Sequence, residues 1–567
     1  MKKTFIRSLS VLLAAIMLLS FTALGSVNAA DSGEAASAVS TPQSYGLPET
    51  IEEGAILHCW TWNFANIKAN IPQIAEAGFK TIQTSPINAV WKGEGGKMKL
   101  KSSNNQGNWW YQYQPTDYVI GNYQLGTEEE FIDMCNEAHR YGIKVIVDIV
   151  ANHCSSNESV ISSHVKNIGG KVFHDRVEIN DWSNRYQVTQ GKLTGLMDLN
   201  TKNANVQNMI LEYMNHVLED GADGFRFDAA KHIELPDDDA SYASNFWPTI
   251  LNNNAEFQYG EILSGADRMG AYAQMMNVTA ESYGTNLRTA LNKKSLSTSG
   301  IKNYKAYAED MSSLDPSKLV TWVESHDNFC SDDNSSWNTL TDAQIRQGWA
   351  VICAQGDTTP LFFARPKGSK AYDASATTTQ NFNNKWGDNT IGLAGNENYY
   401  TPEVVEVNKF RNAMVGESKN IVQIVRSKVN MIERGTKGAV LVSVSDDVTN
   451  VNVSTNLEAG EYTDRVSGEK FTVANGKLTG KVGAGAVVVL YNDAEEVLIG
   501  DVNNNGEIDI DDATTLQRHL AKFTLAGGAP IIDETDPKQF LVADVDKDGD
   551  ITILDVTVIQ QMLAHFI

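Results

Sequence analysis

The sequence predicts an α/β barrel, then a β-rich domain, then a duplicated C-terminal unit, and three observations carry that prediction. From about residue 46 to 403, short apolar runs alternate with amphipathic stretches. Strand and helix alternating over such a span pack most economically as parallel β/α units closed into a barrel. From about 404 to 491 the pattern changes to β-rich runs with Gly turns ("GAVLVSVS", "GAGAVVVLY"), which reads as an antiparallel sandwich. The last stretch, 499–567, repeats an acidic loop followed by a helix.

The elements follow in chain order. Lys2, Lys3 and Arg7 precede an apolar stretch from Leu9 to Leu24, and "VNA" at 27–29 offers small residues for cleavage. Residues 1–29 therefore read as a secretory signal, and the small polar run 30–45 as a linker. The barrel segment 46–403 contains seven strand candidates: "AILHC", "KTIQTS", "IKVIVDIV", "DGFRFD", "EFQYGE", "LVTWVES" and "TPLFF". Helical patterns such as "TEEEFIDMCNEAHRYG" and "NVQNMILEYMNHVLEDG" lie between them, each closed by Gly. One connection, polar and irregular, breaks the rhythm after the third strand. It reads as a small inserted domain, 154–196, on the barrel's C-terminal face. The sandwich takes 404–492 and the duplicated unit 493–567. No segment after the signal is long and apolar enough to span a bilayer.

Composition narrows the ligands. The 567-residue chain carries 70 acidic against 46 basic residues, a net charge of −24. Nucleic acid and other polyanions are poor partners for such a chain, because they need clustered Lys and Arg. Eleven Trp and nineteen Tyr offer faces on which a neutral ring can stack. The five cysteines (Cys59, Cys135, Cys154, Cys330, Cys353) show no metal-type spacing, and their odd number leaves at least one unpaired within the chain.

Barrel enzymes place their chemistry at the C-terminal ends of the strands. Four strand ends here carry acid or histidine: "DIVANH" (148–153), "GFRFDAAKH" (224–232), "YGEI" (259–262) and "ESHDN" (324–328). Side chains alternate along a strand, so Arg226 and Asp228 share one face and Phe225 and Phe227 the other. Two buried charges are costly unless they pair or do chemistry. Asp228, Glu261 and Asp327 would then converge from separate strands.

These stretches, with "LMDLN" at 196–200, resemble the ordered signatures of the α-amylase family of retaining glycoside hydrolases, over about 46–491. The resemblance implies a (β/α)8 barrel in which Asp228 is the nucleophile, Glu261 the acid/base and Asp327 the stabiliser of the transition state. A retaining pair needs its two carboxyls roughly 5–5.5 Å apart. Arg226 is expected to hold Asp228 ionised, and Glu261 to rest protonated. By the same resemblance Tyr113 stacks on sugar beside Gln114, His153 and His326 hydrogen-bond it, and Leu196 and Lys231 line the cleft. A structural calcium would take Asn152, Asp198 and the carbonyls of His232 and Thr189, hard oxygen ligands that suit the ion. Ser325 stands where chloride-dependent relatives carry Asn, which argues against chloride activation.

The C-terminal unit holds two calcium-loop patterns 43 residues apart. The first runs Asp501, Asn503, Asn505, Glu507, Asp512 with Gly506 at position six; the second Asp544, Asp546, Asp548, Asp550, Asp555 with Gly549. Each leads into a helix, but the entering helix of an EF-hand is missing. Paired units of this kind resemble a dockerin, the module that binds cohesin domains of a scaffolding protein. The expectation is a secreted, extracellular, endo-acting α-amylase on starch or related α-glucans. It would carry one calcium in the amylase region and two in the dockerin, and attach to a scaffold through the latter. A maltogenic or transglycosylating relative shares all three acids and is the alternative within the class. A non-catalytic starch-binding subunit is the alternative outside it.

Overall fold

A computed structural model describes residues 45–92, 97–102, 108–175, 177–263, 268–331, 335–492, 498–525 and 527–564. The expected signal segment and, but for Tyr45, the expected linker lie outside these residues.

Eight strands close into a parallel barrel: β1 (Ile56–Cys59), β2 (Thr81–Thr84), β3 (Lys144–Ile149), β4 (Gly224–Phe227), β5 (Phe257–Gly260), β6 (Asn277–Thr279), β7 (Leu319–Trp322) and β8 (Thr359–Phe363). Each pairs with the next, and β8 returns to β1 through Ile56 opposite Leu361. Seven of the eight correspond to the apolar runs of the sequence. The sixth, "NVT", does not, because three residues are too few for alternation to stand out. The prediction of a (β/α)8 barrel nonetheless holds.

The barrel's interior is built in tiers, as the period of two requires. Ile56, Ile146, Phe257, Val320 and Leu361 form an apolar tier with Tyr259 and Trp322. Gly224 sits in register with Ile146 and Phe257, and a Cβ there would lie 2.4 Å from the Phe257 carbonyl oxygen, so no side chain fits. Two residues further along, Arg226 is in register with Asp148 and Tyr259. Phe225 and Phe227 face outward into the helix layer, where Phe227 meets Trp247 edge-on at 5.3 Å.

The helices form for local reasons. In α1 (Phe64–Glu76), Asn63 caps the first turn through Asn66 N. In α2 (Glu128–Arg140), Thr127 and Glu130 form a reciprocal capping box, three Glu occupy the first turn, and Phe131, Met134, Cys135 and Ala138 face the core.

Two of the connections on the C-terminal face carry small sheets of their own. The one expected after β3 carries the antiparallel pair His153–Cys154 with Met197–Asp198, and the short parallel pair Val177–Glu178 with Gly191–Lys192. A second, after β2, was not anticipated. It holds the antiparallel pair Asn88–Val90 with Pro115–Ile120 and delivers Tyr113 to the barrel mouth.

The C-terminal domain is two four-stranded antiparallel sheets. The first comprises β9 (Lys419–Val425), β10 (Val429–Arg434), β11 (Gly438–Ser443) and β16 (Val487–Tyr491); the second β12 (Thr449–Ser454), β13 (Gly460–Thr463), β14 (Lys470–Ala474) and β15 (Lys477–Val482). In the first sheet Met431, Leu441 and Leu490 face the second sheet, while Ile432, Val440, Val442 and Val489 belong to the barrel's core cluster. Burial on both faces explains the continuous apolar run "VVVLY".

The last unit contains α3 (Ile510–Leu520), α4 (Pro537–Ala543) and α5 (Ile553–Leu563), with Ala513, Leu516, Val556 and Ile559 at its core. Among the described residues no helix is long and apolar enough to cross a membrane. All five cysteines are buried.

Candidate active site

The end of β4 brings Arg226 and Asp228 to the barrel mouth on one face, and the backbone continues the ladder beyond the last pairs: Asp228 N donates to Ile149 O and Glu261 N to Phe227 O, both at 2.9 Å. Arg226 is buried, and its guanidinium is shared among three carboxylates. Nη1 lies 2.8 Å from Asp148 Oδ1, 2.9 Å from Asp148 Oδ2 and 2.8 Å from Asp228 Oδ1, and Nη2 lies 3.2 Å from Glu261 Oε1. Glu261 Oε2 accepts a 2.9 Å bond from Ala229 N. Ala229 has φ +49°, in the left-handed region that costs a non-glycine residue energy, and this turn aims its N–H at the acid.

Asp327 follows β7 at the first turn of a short helix, His326–Cys330, and half of its side chain is open to the cleft (52% exposed). Its Oδ1 lies 3.4 Å from His326 Nε2. The sequence-predicted trio is thus brought together, with Asp148 as a fourth carboxylate at its base. Asp148 is fully buried and also accepts a 3.1 Å bond from the Tyr113 hydroxyl. It stood in the quoted motif "DIVANH" without a role; its parity with Arg226 on the neighbouring strand is the signal that would have found it.

One cation among four acids sets the protonation. Burial raises Asp228, and Glu261, Asp148 and Asp327 add to that rise against the pull of Arg226. Asp327, half open to the cleft, is pushed up to about 7 by partial burial and then by the charge of the neighbouring Glu261. Glu261 sits below its ordinary value: burial raises it, but Arg226 and the Ala229 N–H outweigh that. The expectation of a proton resting on Glu261 alone therefore changes. Neighbouring carboxyls cannot both ionise freely, and here Asp327 is the one raised while Glu261 is lowered.

The remaining predicted cleft residues are placed as follows. Tyr113 is buried and its ring stacks on His326, centroids 5.2 Å apart and 15° between planes. His326 is stacked on its other side by Trp60 at 6.1 Å, and burial lowers its pKa to about 4. His153 spends Nε2 on the Tyr113 carbonyl at 3.1 Å, with Nδ1 3.3 Å from Asn152 Nδ2. Gln114 accepts from Ser155 Oγ at 3.3 Å. Lys231 lines a 380 Å³ cavity with Glu261, His326 and Asp327. Leu196 is buried in the inserted segment, outside that lining. His58 and Trp322 are cavity residues that the sequence reading did not single out.

The candidate metal residues of the barrel form a linked group. Asn152 Nδ2 donates to Asp198 Oδ1 at 3.2 Å, and His174 Nδ1 lies 2.7 Å from Asp198 Oδ2. His174 Nε2 is 3.5 Å from Glu234 Oε1, which also takes Gln190 Nε2, itself bonded to the Thr189 carbonyl. His232 Nδ1 contacts the Val188 carbonyl at 2.8 Å. Asp198 is 4% and Glu234 0% exposed; burial raises Asp198 and lifts Glu234 to about 7. Two buried acids contacted by neutral amides and a histidine whose pKa burial lowers fit a divalent cation. His174 and Glu234 were not legible in advance, since neither falls in a spaced motif.

In the C-terminal unit the two loops have the same geometry. Asp501 accepts from Asn505 N and Gly506 N, and Asp544 from Gly549 N, with Gly506 at φ +91° and Gly549 at φ +90°. Asp512 and Asp555 are fully buried and accept loop N–H groups at both oxygens. Asn503, Asn505 and Glu507 alternate through the first loop as Asp546, Asp548 and Asp550 do through the second. Asp544 Oδ1 is buried without a hydrogen-bond partner, and Asp544, Asp546 and Asp548 each offer an oxygen within 4.8 Å of the others. An orphaned carboxylate oxygen facing two more carboxylates fits calcium.

Comparison with known proteins agrees with this geometry. The family model for the α-amylase catalytic domain matches residues 66–331, and that for the type I dockerin domain residues 499–564. An α-amylase of Butyrivibrio fibrisolvens is 39% identical over 478 residues, covering 78% of this chain and 47% of that protein. One of Clostridium acetobutylicum is 36% identical over 460 residues, covering 79% and 55%. The chain thus spans about half the length of the curated relatives it matches. Among solved structures, wild-type α-amylase I of Eisenia fetida superposes with a TM-score of 0.64 at 20% identity, covering 78% of this chain and 98% of that one. The fold, the order of the acid-bearing strand ends and these matches identify residues 66–331 as an α-amylase catalytic domain and residues 499–564 as a type I dockerin domain.

Proposed function

We propose that this protein is a secreted, endo-acting α-amylase that hydrolyses α-1,4-glucosidic bonds of starch and related glucans with retention of configuration. The observation that carries the reading is the pair Asp228 and Glu261 on one guanidinium, 2.8 and 3.2 Å from its two amino nitrogens. Their spacing is governed by that single planar group, which favours the short separation of a retaining pair over the roughly 6.5–9.5 Å of an inverting one. Asp228 Oδ attacks the anomeric carbon while Glu261 gives its proton to the departing oxygen, leaving a glycosyl ester on Asp228. Water then attacks the same carbon, Glu261 takes its proton, and the Asp228–carbon bond breaks with net retention. Asp327 and neutral His326 hold the sugar, and Tyr113 and Asp148 keep Arg226 in place.

Calcium would be held in the barrel by Asn152, Asp198 and the carbonyls of Thr189 and His232, tying the inserted segment 154–196 to the barrel beside the cleft. Two further ions would order the C-terminal loops, whose helices then bind a cohesin domain of an extracellular scaffold. The first test is reducing sugar released from soluble starch, with proton NMR of fresh hydrolysate. Initial α-anomers of mixed chain length are expected. Initial β-anomers refute retention, exclusive release of maltose refutes endo action, and no release at all supports a starch-binding subunit instead.

A further inference from the structure

The cleft does not end at Asp327. On one side of Glu261 its wall contains Thr279 and Glu281, and both residues also line a second, larger cavity of 620 Å³. The order of strands around the barrel mouth fixes which side this is. Asp228 ends β4, Glu261 ends β5 and Thr279 ends β6, so the second cavity lies beyond Glu261, away from Asp228. Thr279 Oγ1 donates to Ile262 O at 2.8 Å and accepts from Ile262 N at 3.0 Å, which joins the rim of the two cavities to the residue that follows Glu261. In the reaction proposed above Glu261 protonates the departing oxygen. A groove leaving the site past Glu261 therefore receives the departing part of the substrate.

The far wall of this cavity is a hairpin. Ala308 N donates to Ser312 O at 2.9 Å and Leu314 N to Ala306 O at 3.0 Å, and Tyr307 bridges to Ser313. Met311 at its tip has φ +66° and is 74% exposed. Two side-chain bonds fix the hairpin: Glu309 Oε1 accepts from Ala271 N at 3.2 Å, and the Tyr307 hydroxyl donates to Asn303 Oδ1 at 3.2 Å. The lining thus combines one half-buried aromatic ring, the amide of Asn286, and charges of both signs, Arg268 and Lys305 with Glu281 and Glu309. An anion would meet two carboxylates there, and a purely apolar ligand would desolvate four charges. A neutral, hydroxyl-rich chain with flat ring faces satisfies all of them.

We propose that the second cavity extends the site on the leaving side, with Tyr307 as a stacking face and Asn286 and Lys305 as hydrogen-bonding groups for a sugar unit of the departing chain. This inference rests on the reading of the protein as an α-glucan hydrolase. The experiment is the cleavage of reducing-end-labelled maltooligosaccharides, maltotriose to maltooctaose, by the full chain and by its Tyr307→Ala, Tyr307→Phe and Lys305→Gly variants. Tyr307→Ala is expected to lower the ratio of kcat/KM for maltooctaose to that for maltotriose about tenfold, a loss of one good contact. It should also shorten the labelled fragments by at least one glucose, with maltotriose cleavage unchanged. Tyr307→Phe should keep the wild-type pattern. Lys305→Gly, which suits the φ of +54° at that position, should move both readouts in the same direction as Tyr307→Ala. Unchanged length ratio and cleavage position in Tyr307→Ala, or in Lys305→Gly should the first variant not fold, overturn the inference. A wild-type chain that cleaves none of these substrates overturns the hydrolase reading and this inference with it.

Discussion

Replacing Arg226 by Gln removes the cation on which Asp148, Asp228 and Glu261 converge. Glutamine keeps a donor and most of the volume, so the change is chiefly one of charge. Removing one partner of a buried ion pair costs about 3–5 kcal/mol, because the other charge is left uncompensated. Here several acids lose their partner together, so at pH 8 the upper end of that range is expected. Unfolding roughly 450 residues at about 2.1 cal/mol/K each gives an entropy near 1 kcal/mol/K, so the melting temperature should fall by about 4–5 °C. The sign with pH follows from the acids. Asp228 is already raised by burial, and losing Arg226 raises it and its neighbours further. A carboxyl whose folded pKa exceeds its unfolded value costs stability above the folded pKa, and the cost fades as pH falls toward the unfolded value near 4. The gap between wild type and Arg226→Gln should therefore narrow from pH 8 to pH 5. Calorimetric melting at both pH values measures it. A gap below 1 °C at pH 8, or one that widens at pH 5, would show that Arg226 is not what balances these acids.

Four other outcomes are expected. Asp228→Asn and Glu261→Gln should each lower turnover on soluble starch by several orders of magnitude with melting little changed, since the pair acts as a unit; substantial residual activity in either purified variant contradicts the assigned roles. The wild-type kcat/KM should decline as pH rises through about 7, where the raised Asp327 loses its proton, and should also decline toward acid as the raised Asp228 takes up a proton; a rate flat to pH 9 argues against a role for the raised Asp327. Excess chelator should lower the melting temperature of the barrel transition in the full chain but much less so in Asp198→Asn, because only an ion bound to the native state adds stability by mass action; equal responses remove the site from Asn152 and Asp198. Deleting 493–567 should abolish calcium-dependent binding to cohesins, titrated by calorimetry, while starch hydrolysis persists; binding by the truncated protein means the module does not serve that purpose.

The sequence carried the barrel because seven of its strands are apolar runs ending in chemistry-bearing residues, and it carried Asp228, Glu261 and Asp327 because each follows such a run. It did not carry β6, whose three residues are too short for a period to show. It did not reveal the long connection after β2 as a structural arm, since "NAV" and "PTDYVI" are mixed in polarity and pair only with each other. Asp148 was visible but silent. Its role depends on register between neighbouring strands, a relation that a linear pattern does not encode. His174 and Glu234 are farther still from legibility, for they meet across 60 residues through burial alone. The resting proton is a property of four acids and one base taken together, and no single motif could assign it.

The sheet of β9, β10, β11 and β16 has a consequence for how such proteins can be recombined. Its strands alternate their side chains between two separate apolar interiors, so one ribbon of backbone is a wall of both. The helix Pro402–Ala413 reinforces the seam: Phe410 packs on Tyr491 at 5.8 Å, and Arg411 reaches back to the carbonyls of Glu52, Glu53 and Gly54 just before β1. A cut near residue 404, where the composition changes, would therefore divide a party wall, exposing Ile432, Val440 and Val489 on one fragment and the barrel helices on the other. Chimaeras that exchange the barrel alone should misfold or precipitate, and the exchangeable cassette is the span from Tyr45 through Tyr491, with both ends of the barrel and the shared sheet inherited as a unit.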